Sequence, residues 1–252
     1  MNKEIKPRKL ISIITLLLST IILSTILFQK HSEYQRQEAF LNHPESTLKY
    51  IPFYQTIAKH NPELYKSIIT LIKSSKRNNL NQNNISRMIR DSITPYIASR
   101  VPFASNSAIM QYMNVTVQEI EILKNESHTL CYNYLYATKN TAVNVSDYIS
   151  HDILAKDLKA ATQVIKSSYE HKNNSITINS NVINNIMKKL HKTYGEDIAL
   201  LNSPIVSNHN QQKKICLITI DLFKNILTLP TNEGGNILRY LSVTKANNSL
   251  GN

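Results

Sequence analysis

Residues 215–229 read ICLITIDLFKNILTL, the most apolar stretch of the chain beyond its amino-terminal region. Apart from Thr219, the polar residues of this stretch are Asp221, Lys224, Asn225 and Thr228. Their spacing of i, i+3, i+4 and i+7 places them on one side of a helix and leaves most of its circumference apolar. Pro230 then ends the segment. We therefore predict that residues 215–229 form the central core helix of an all-α domain.

The same helical period recurs along the rest of the chain. Apolar residues repeat every three to four positions in residues 64–72, 85–97, 109–123, 154–165 and 183–198. Pro95 is expected to kink or end the second of these helices near Thr94. We predict a bundle of about seven helices, with stacked helix pairs as the structural alternative. Within the helix at 215–229, the residues expected in the core are Leu222, Phe223, Ile226 and Leu227.

Two observations limit other folds and cofactors. The chain has only four glycines, which disfavours tight β-hairpins and glycine-rich phosphate loops. Neither a dinucleotide-binding motif nor a P-loop is present, so no cofactor is predicted. In residues 130–136, however, tyrosines alternate at a period of two, and strand and helix remain equally compatible with the sequence.

Residues 10–28 read LISIITLLLSTIILSTILF and contain no charged residue. A helix of nineteen residues, each rising about 1.5 Å, nearly crosses a hydrocarbon core of about 30 Å. The segment is longer than the apolar region of a cleaved signal peptide, and residues 25–31 lack a small-residue cleavage site. We predict a transmembrane signal-anchor that contacts the lipid bilayer through Leu10 to Phe28. A cleaved signal is the alternative.

The charges beside this segment predict its orientation. The flank that precedes it is strongly basic, with Lys3, Lys6, Arg8 and Lys9, whereas the following flank has Lys30 and then Glu33. The positive-inside rule places the basic tail in the cytoplasm. The predicted parts are a cytoplasmic tail (1–9), the anchor (10–28), a stalk (29–43) and a helical extracytoplasmic domain (44–252). The expected localisation is the bacterial inner membrane, single-pass, with the carboxy-terminal domain in the periplasm.

The net charge gives little information about a partner. The tail contributes +3 of the formal net charge of +12, and the remaining basic residues are dispersed. The loose clusters are Lys73, Lys76, Arg77, Arg87 and Arg90; Lys188, Lys189 and Lys192; and Lys213 with Lys214. Solvated helix faces explain them, with attraction to an anionic envelope surface as the alternative. The absence of a basic arm and of an aromatic-plus-basic motif argues against nucleic acid.

Cys131 and Cys216 are the only cysteines, and export would bring both into an oxidising compartment. Each lies between apolar residues, which fits a buried disulfide and equally fits two buried thiols. Export favours the disulfide, so Cys131 and Cys216 are the disulfide candidate of this sequence. A redox-active role would require a C-x-x-C arrangement or a charge beside the thiol.

Metal-binding and catalytic motifs are weak. His128 with Cys131, and Asp147 with His151, each have a spacing that could supply two metal ligands, but two ligands do not form a site. We therefore predict no metal site. No serine lies in a G-x-S-x-G motif, so the catalytic residues stay unknown.

Two further groups of residues, an acidic pair and three tyrosines, have mainly structural explanations. Glu119 and Glu121 are two positions apart on a helix and should point in different directions. The tyrosines at 132, 134 and 136 could line a binding groove, although packing in the core or at an interface is their commoner role.

These observations favour a membrane-anchored envelope protein whose helical periplasmic domain acts by binding or scaffolding. Its expected partners are the lipid bilayer and envelope proteins or an anionic envelope surface. An enzyme is the less favoured class, with a periplasmic hydrolase or transferase that acts on envelope material as the alternative. A cytoplasmic nucleic-acid-binding protein is the third hypothesis, and it would require that residues 10–28 do not span a membrane.

Overall fold

The computed structural model describes residues 38–78, 80–136, 143, 145–170, 178–202 and 204–249. These residues form helices and turns without any strand, which confirms the predicted all-α class for this part of the chain. None of the helices there has both the length and the apolar content that a membrane crossing requires. The predicted anchor at 10–28 lies outside the described residues.

The helices in this part of the chain are more numerous than the seven or so that were predicted. They are α1 (Pro44–Leu48), α2 (Pro52–His60), α3 (Pro62–Arg77), α4 (Gln82–Arg100), α5 (Asn106–Glu126), α6 (His128–Leu135), α7 (His151–Glu170), α8 (Ser180–Tyr194), α9 (His209–Leu227) and α10 (Thr231–Ser249). Residues 38–42 are also helical. The higher number comes largely from α1, α2 and α6, which are too short to show a clear helical period.

The sequence explains where many of these helices begin. Proline occupies the first position of α1, α2 and α3, where its missing N–H leaves no bond unmade. Six helices, α3 among them, are preceded by a polar residue whose side chain accepts a hydrogen bond from the first turn. These capping residues are Asn61, Asn81, Ser105, Ser127, Asn179 and Asn208.

The bundle is organised around α5, which packs against α6, α7, α9 and α10. On the other side of α7 lie α2 and α4, and α3 packs against both of these. Most buried apolar residues belong to one core, with fully buried members such as Ile57, Ile72 and Ile165. Phe40 and Leu41, in the segment assigned to the stalk, also pack against this core.

The predicted core residues of α9 are only partly correct. Ile226 is fully buried, but Leu222, Phe223 and Leu227 are partly exposed. The buried side of α9 instead centres on Ile215 and Ile218. The helices that pack against α9 are α5, α6, α8 and α10. Phe223 is therefore not the fully buried side chain that the sequence predicted, and α5 is the more central helix.

Pro95 was expected to kink or end its helix, and the second alternative is wrong, because α4 continues through Pro95 to Arg100. Pro95 is exposed, so its ring is on the solvent side of the helix. The hydroxyl of Thr94, the residue before Pro95, donates to the carbonyl of Arg90 over 2.9 Å within the helix. Arg100 is the last residue of this continuous helix.

Candidate functional site

The corner between α2 and α3 forms one wall of a surface cleft. Lys59 and His60 occupy the last turn of α2, where the helix dipole favours basic residues. The side chain of Asn61 accepts a hydrogen bond from the backbone N–H of Leu64 over 3.0 Å, and Pro62 begins α3. These two local signals turn the chain sharply and fix the position of His60 at the corner.

Tyr169, near the end of α7, packs directly on this corner. Its ring is stacked on the imidazole of His60, with 4.1 Å between centroids and 15° between planes. Its hydroxyl donates to the backbone carbonyl of His60 over 3.3 Å, and it lies 3.3 Å from the hydroxyl of Tyr96. The bond to His60 satisfies one of the carbonyls that a helix leaves free at its carboxyl end.

Arg100 contacts Tyr169 from α4. Its Cζ lies 4.1 Å from the centroid of the Tyr169 ring, within the range of a cation–π contact. Arg100 Nε donates to Ser168 Oγ over 2.9 Å, and Nη2 donates to the Ser168 carbonyl over 3.1 Å. Since His60 and Arg100 both lie 4.1 Å from the ring centre, they must occupy opposite faces of Tyr169. Three helices thus form a fixed stack of His60, Tyr169 and Arg100.

A cleft of about 530 Å³, which we call the His60 cleft, opens beside this stack. Apart from His60 and Tyr169, its walls consist of Gln55, Thr56, Lys59, Lys166 and Glu170. Within the described residues, neither Lys59 nor Lys166 forms an ion pair, and no hydrogen bond engages the imidazole nitrogens of His60. Among the residues that the structure describes, none occupies the two ammonium groups or the imidazole nitrogens of this cleft.

The protonation of His60 depends on this environment. Burial and the positive charges of Lys59, Arg100 and Lys166 lower the pKa of His60, whereas Glu170 opposes that shift. His60 is consequently mostly neutral at pH 7. A negative charge placed in the cleft would favour the protonated imidazole.

A second cluster of ionisable groups lies inside the bundle, away from the His60 cleft. Glu119 on α5 is 3% exposed, and Tyr134 on α6 donates to its Oε2 over 2.5 Å. Burial and the negative charge of Asp157 on α7 raise the pKa of Glu119 to about 7. Burial also raises the pKa of Asp157 to about 6, and the positive charge of Arg90 opposes this shift.

Arg90 and Tyr112 complete what we call the Glu119 cluster. Arg90 Nη2 donates to the carbonyl of Val143 over 2.8 Å, which fixes the guanidinium between α4 and the connection that precedes α7. Burial and the charges of Asp157 and Glu119 raise the pKa of Tyr112. Perturbed carboxyl groups are common at functional sites, but buried structural networks produce the same shifts. Neither carboxyl of this cluster lines the His60 cleft.

The structure brings the two cysteines together. A disulfide joins Cys131 on α6 to Cys216 on α9, with 5.9 Å between the Cα atoms. That separation lies within the range that disulfide geometry requires. Ile120 and Ile220 pack around the pair, so the disulfide lies in a small apolar core of its own.

Neither of the ligand pairs considered for a metal becomes a larger site. Cys131 is part of the disulfide and is not available as a ligand beside His128. Across the described part of the chain, no group of three or more His, Cys, Asp or Glu residues could hold a metal ion. Asp147 and His151 therefore acquire no third ligand among these residues.

The tyrosines at 132, 134 and 136 hold elements of the bundle together. The hydroxyl of Tyr132 accepts from the backbone N–H of Val206 over 2.9 Å and donates to the carbonyl of Pro204 over 2.9 Å. The hydroxyl of Tyr136 lies 3.3 Å from Thr219 Oγ1 on α9. With Tyr134 bonded to Glu119, the described contacts of all three tyrosines are internal.

The His60 cleft was not predicted from the sequence. Its residues come from positions up to 115 apart, as Gln55 and Glu170 show, and each looks like an ordinary surface residue of an amphipathic helix. The only local signal is the pair Lys59–His60 directly before an Asn-Pro helix start. That signal predicts a corner, but not which helix packs against it.

Comparison with known proteins identifies no relative: no protein-family model, no curated protein and no solved structure matches this chain significantly. The chemistry of the His60 cleft and of the Glu119 cluster is thus what indicates a function. The cleft is open and cationic, and the cluster is closed and acidic. An open site lined by cationic side chains is suited to binding a ligand.

Proposed function

We propose that this chain is a membrane-anchored envelope protein whose helical periplasmic domain binds or scaffolds an envelope component. The observation that carries the proposal is the His60 cleft, in which side chains from α2 and α7 surround an open volume of about 530 Å³. The stack of His60, Tyr169 and Arg100 holds its floor in place without a ligand. Such preorganisation lowers the entropic cost of binding.

The membrane part of the proposal rests on the sequence. The uncharged segment from Leu10 to Phe28 and its basic amino-terminal flank support a single span with the domain in the periplasm. A tethered domain stays close to the bilayer surface, where lipid headgroups and envelope components are within its reach. The open, cationic cleft is consistent with that location.

A periplasmic hydrolase or transferase is the second candidate, and the Glu119 cluster favours it. Its two carboxyl groups have raised pKa values, to about 7 for Glu119 and about 6 for Asp157, as general acids often do. Glu119 is almost fully buried, however, and its described contacts are with other side chains of the bundle. This arrangement supports a structural role better than a catalytic one.

The topology is tested by fusing alkaline phosphatase to the chain in a Gram-negative host. A fusion after residue 40 is expected to be active, because the enzyme folds only in the periplasm, and a fusion after residue 9 is the inactive control. The membrane fraction should contain the intact amino terminus. Mature protein that starts near residue 30 would show a cleaved signal instead of an anchor.

The binding role is tested by photo-crosslinking of the full-length chain in cells. A photoreactive amino acid replaces Gln55 in the His60 cleft, and the matched control carries it at the exposed Asn185 on α8. We expect a defined adduct from position 55 and none from position 185, with mass spectrometry to identify its composition. Equal labelling at both positions, or none at position 55, would contradict a specific binding site in the cleft.

A further inference from the structure

We propose that the His60 cleft is a phosphate-binding site, in which Lys59, His60 and Lys166 contact the oxygens of a phosphate monoester. This inference rests on the proposed binding role and names the chemical class of its ligand. The three side chains approach from two helices, α2 and α7, and enclose the same open volume. Arg100, behind the ring of Tyr169, adds a further positive charge on that side of the domain.

The balance of charge selects phosphate over a monovalent carboxylate. With His60 neutral, the formal charge of Lys59, Arg100, Lys166 and Glu170 together is +2, the opposite of a phosphate monoester dianion. Lys59 and Lys166 form no ion pair within the described residues, so a ligand does not have to displace a carboxylate from them. Glu170 also lines the cleft and offsets one of the positive charges there.

His60 couples binding to protons. Lys59, Arg100 and Lys166 disfavour its charged form, Glu170 favours it, and the ring lies against Tyr169. A bound phosphate adds negative charge next to the imidazole and thereby stabilises the protonated form. Because linkage is reciprocal, protonation of His60 strengthens the binding of a given phosphate species, whereas protonation of the phosphate dianion itself, with a pKa of about 6, opposes this effect over the same pH range.

The experiment follows His60 directly in the full-length chain, reconstituted in nanodiscs of phosphatidylcholine. Histidines are labelled with carbon-13 at Cε1, and the His60→Asn variant identifies the signal of His60 among the eight histidines. Saturating inorganic phosphate is expected to move the midpoint of the His60 titration to higher pH by roughly one pH unit. An unchanged midpoint in the wild-type chain would overturn the proposal; the variant serves only to assign the signal.

A matched pair of double variants tests the location of the site. Lys59→Ala with Lys166→Ala should weaken phosphate binding by about tenfold or more, since two charge-assisted contacts are lost. Lys188→Ala with Lys189→Ala removes the same charge from exposed positions on α8 and should bind like the wild type. Equal weakening in both double variants would mean that phosphate responds only to net charge, and it would overturn the proposal.

A second preparation distinguishes the source of the phosphate. Nanodiscs that contain phosphatidic acid present the monoester as a lipid headgroup, so a shift of His60 there without added phosphate indicates a lipid ligand. A shift with soluble phosphate alone indicates a soluble ligand, and no shift in either preparation refutes the site. If the photo-crosslink at position 55 forms although His60 never responds, the binding role stands and only the phosphate assignment fails.

Discussion

Tyr134 donates a hydrogen bond of 2.5 Å to the carboxyl group of Glu119, inside a helical bundle where Glu119 is 3% exposed. Two helices contribute this pair, α5 and α6, and Asp157 on α7 adds a second acidic group nearby. Placing a carboxylate in such surroundings is unfavourable unless it is protonated or well paired. The domain therefore contains an acidic group whose charge changes within the physiological pH range.

Stability should fall as the pH rises, because the pKa of Glu119 increases from its usual 4.5 to about 7 on folding. Between these values the folded chain holds a proton that the unfolded chain has lost, so the free energy of unfolding decreases with pH. The full contribution is present below about pH 4.5 and is lost by about pH 7. Replacing Glu119 with Gln keeps an acceptor for Tyr134 and should remove the share of this dependence that comes from Glu119, whereas Asp157, with a pKa raised to about 6, keeps its own share.

The measurement is urea unfolding of the wild type and of Glu119→Gln at pH 5 and at pH 8. At pH 8 the variant should be the more stable by on the order of 2 kcal/mol. Glu121→Gln is the control, because Glu121 lies two residues away, is paired with Lys224 at the surface and should cost less than about 1 kcal/mol. A wild type whose stability does not change from pH 5 to pH 8 would contradict a raised pKa.

The disulfide between Cys131 and Cys216 should be present in the exported chain and should stabilise it. The two residues are 85 positions apart, so the closed loop is long, and the chain-entropy account gives up to about 4–5 kcal/mol. We expect no free thiol in denatured, unreduced protein. The double variant Cys131→Ser with Cys216→Ser should melt at a lower temperature, and a reducing agent should not change its melting further. Two free thiols in promptly alkylated periplasmic material would refute the pairing.

The sequence predicted the all-α class because apolar residues repeat with the helical period in most long segments. The sequence was a weaker guide to helix type and helix ends where a segment is short or contains a proline, because the local signals there are ambiguous. The helix over His128–Leu135 could not be distinguished from a strand, since its fate depends on the contacts of Tyr132 and Tyr134 with distant elements. Pro95 did not end α4, because its ring points to solvent and tertiary contacts hold both halves of the helix.

The candidate sites were even harder to predict from the sequence, because they depend on contacts between distant helices. Helix geometry predicts that the side chains of Glu119 and Glu121 point in different directions. In the structure Glu119 is buried, whereas Glu121 is paired with Lys224. The burial that shifts the pKa of Glu119 depends on α6 and α7, which no local pattern reveals. The His60 cleft likewise requires that α7 packs on the corner after His60. The sequence shows which residue types are present, but it does not show which of them lie close together in the folded domain.

Gly235 allows α10 to approach α5 closely, and an alanine there should destabilise the domain. A Cβ atom at Gly235 would lie 2.5 Å from Cβ and 2.7 Å from Cα of Asn106. Alanine in place of a helical glycine normally stabilises by about 0.5–1 kcal/mol, so the expected loss of about 1–3 kcal/mol has the opposite sign. Thermal unfolding of Gly235→Ala measures it. A gain in stability would show that α10 does not pack at this distance.

The matched control for Gly235 is Gly195→Ala. A Cβ there has nothing within 4 Å, but Gly195 has a φ of +57°, so the variant reports backbone strain without a steric clash. It should cost about 1 kcal/mol. The two variants therefore report different effects, a steric clash between α10 and α5 at Gly235 and backbone strain at Gly195.

Arg239 on α10 is 0% exposed, and within the described residues it forms no ion pair with a carboxylate. Its Nη2 donates to the carbonyl of Ala104 over 2.7 Å, and its Nη1 donates to Asn236 Oδ1 over 2.8 Å. Ala104 follows the short 3-10 helix at Val101–Phe103. The guanidinium is thus held by one backbone carbonyl and one side-chain amide oxygen in place of an acidic partner.

Replacing Arg239 should therefore be among the most damaging single changes in the domain. Arg239→Ala removes a fully buried side chain and leaves the carbonyl of Ala104 without its donor, so we expect a loss of roughly 3–5 kcal/mol. Arg239→Lys keeps the charge but cannot present two donors in a planar fork, and it should also destabilise. The control is Arg77→Ala at an exposed position of α3, which should stay within about 0.5 kcal/mol of the wild type. Urea unfolding of the three variants decides the matter: if Arg239→Ala behaves like Arg77→Ala, the guanidinium does not connect α10 to the end of the 3-10 helix.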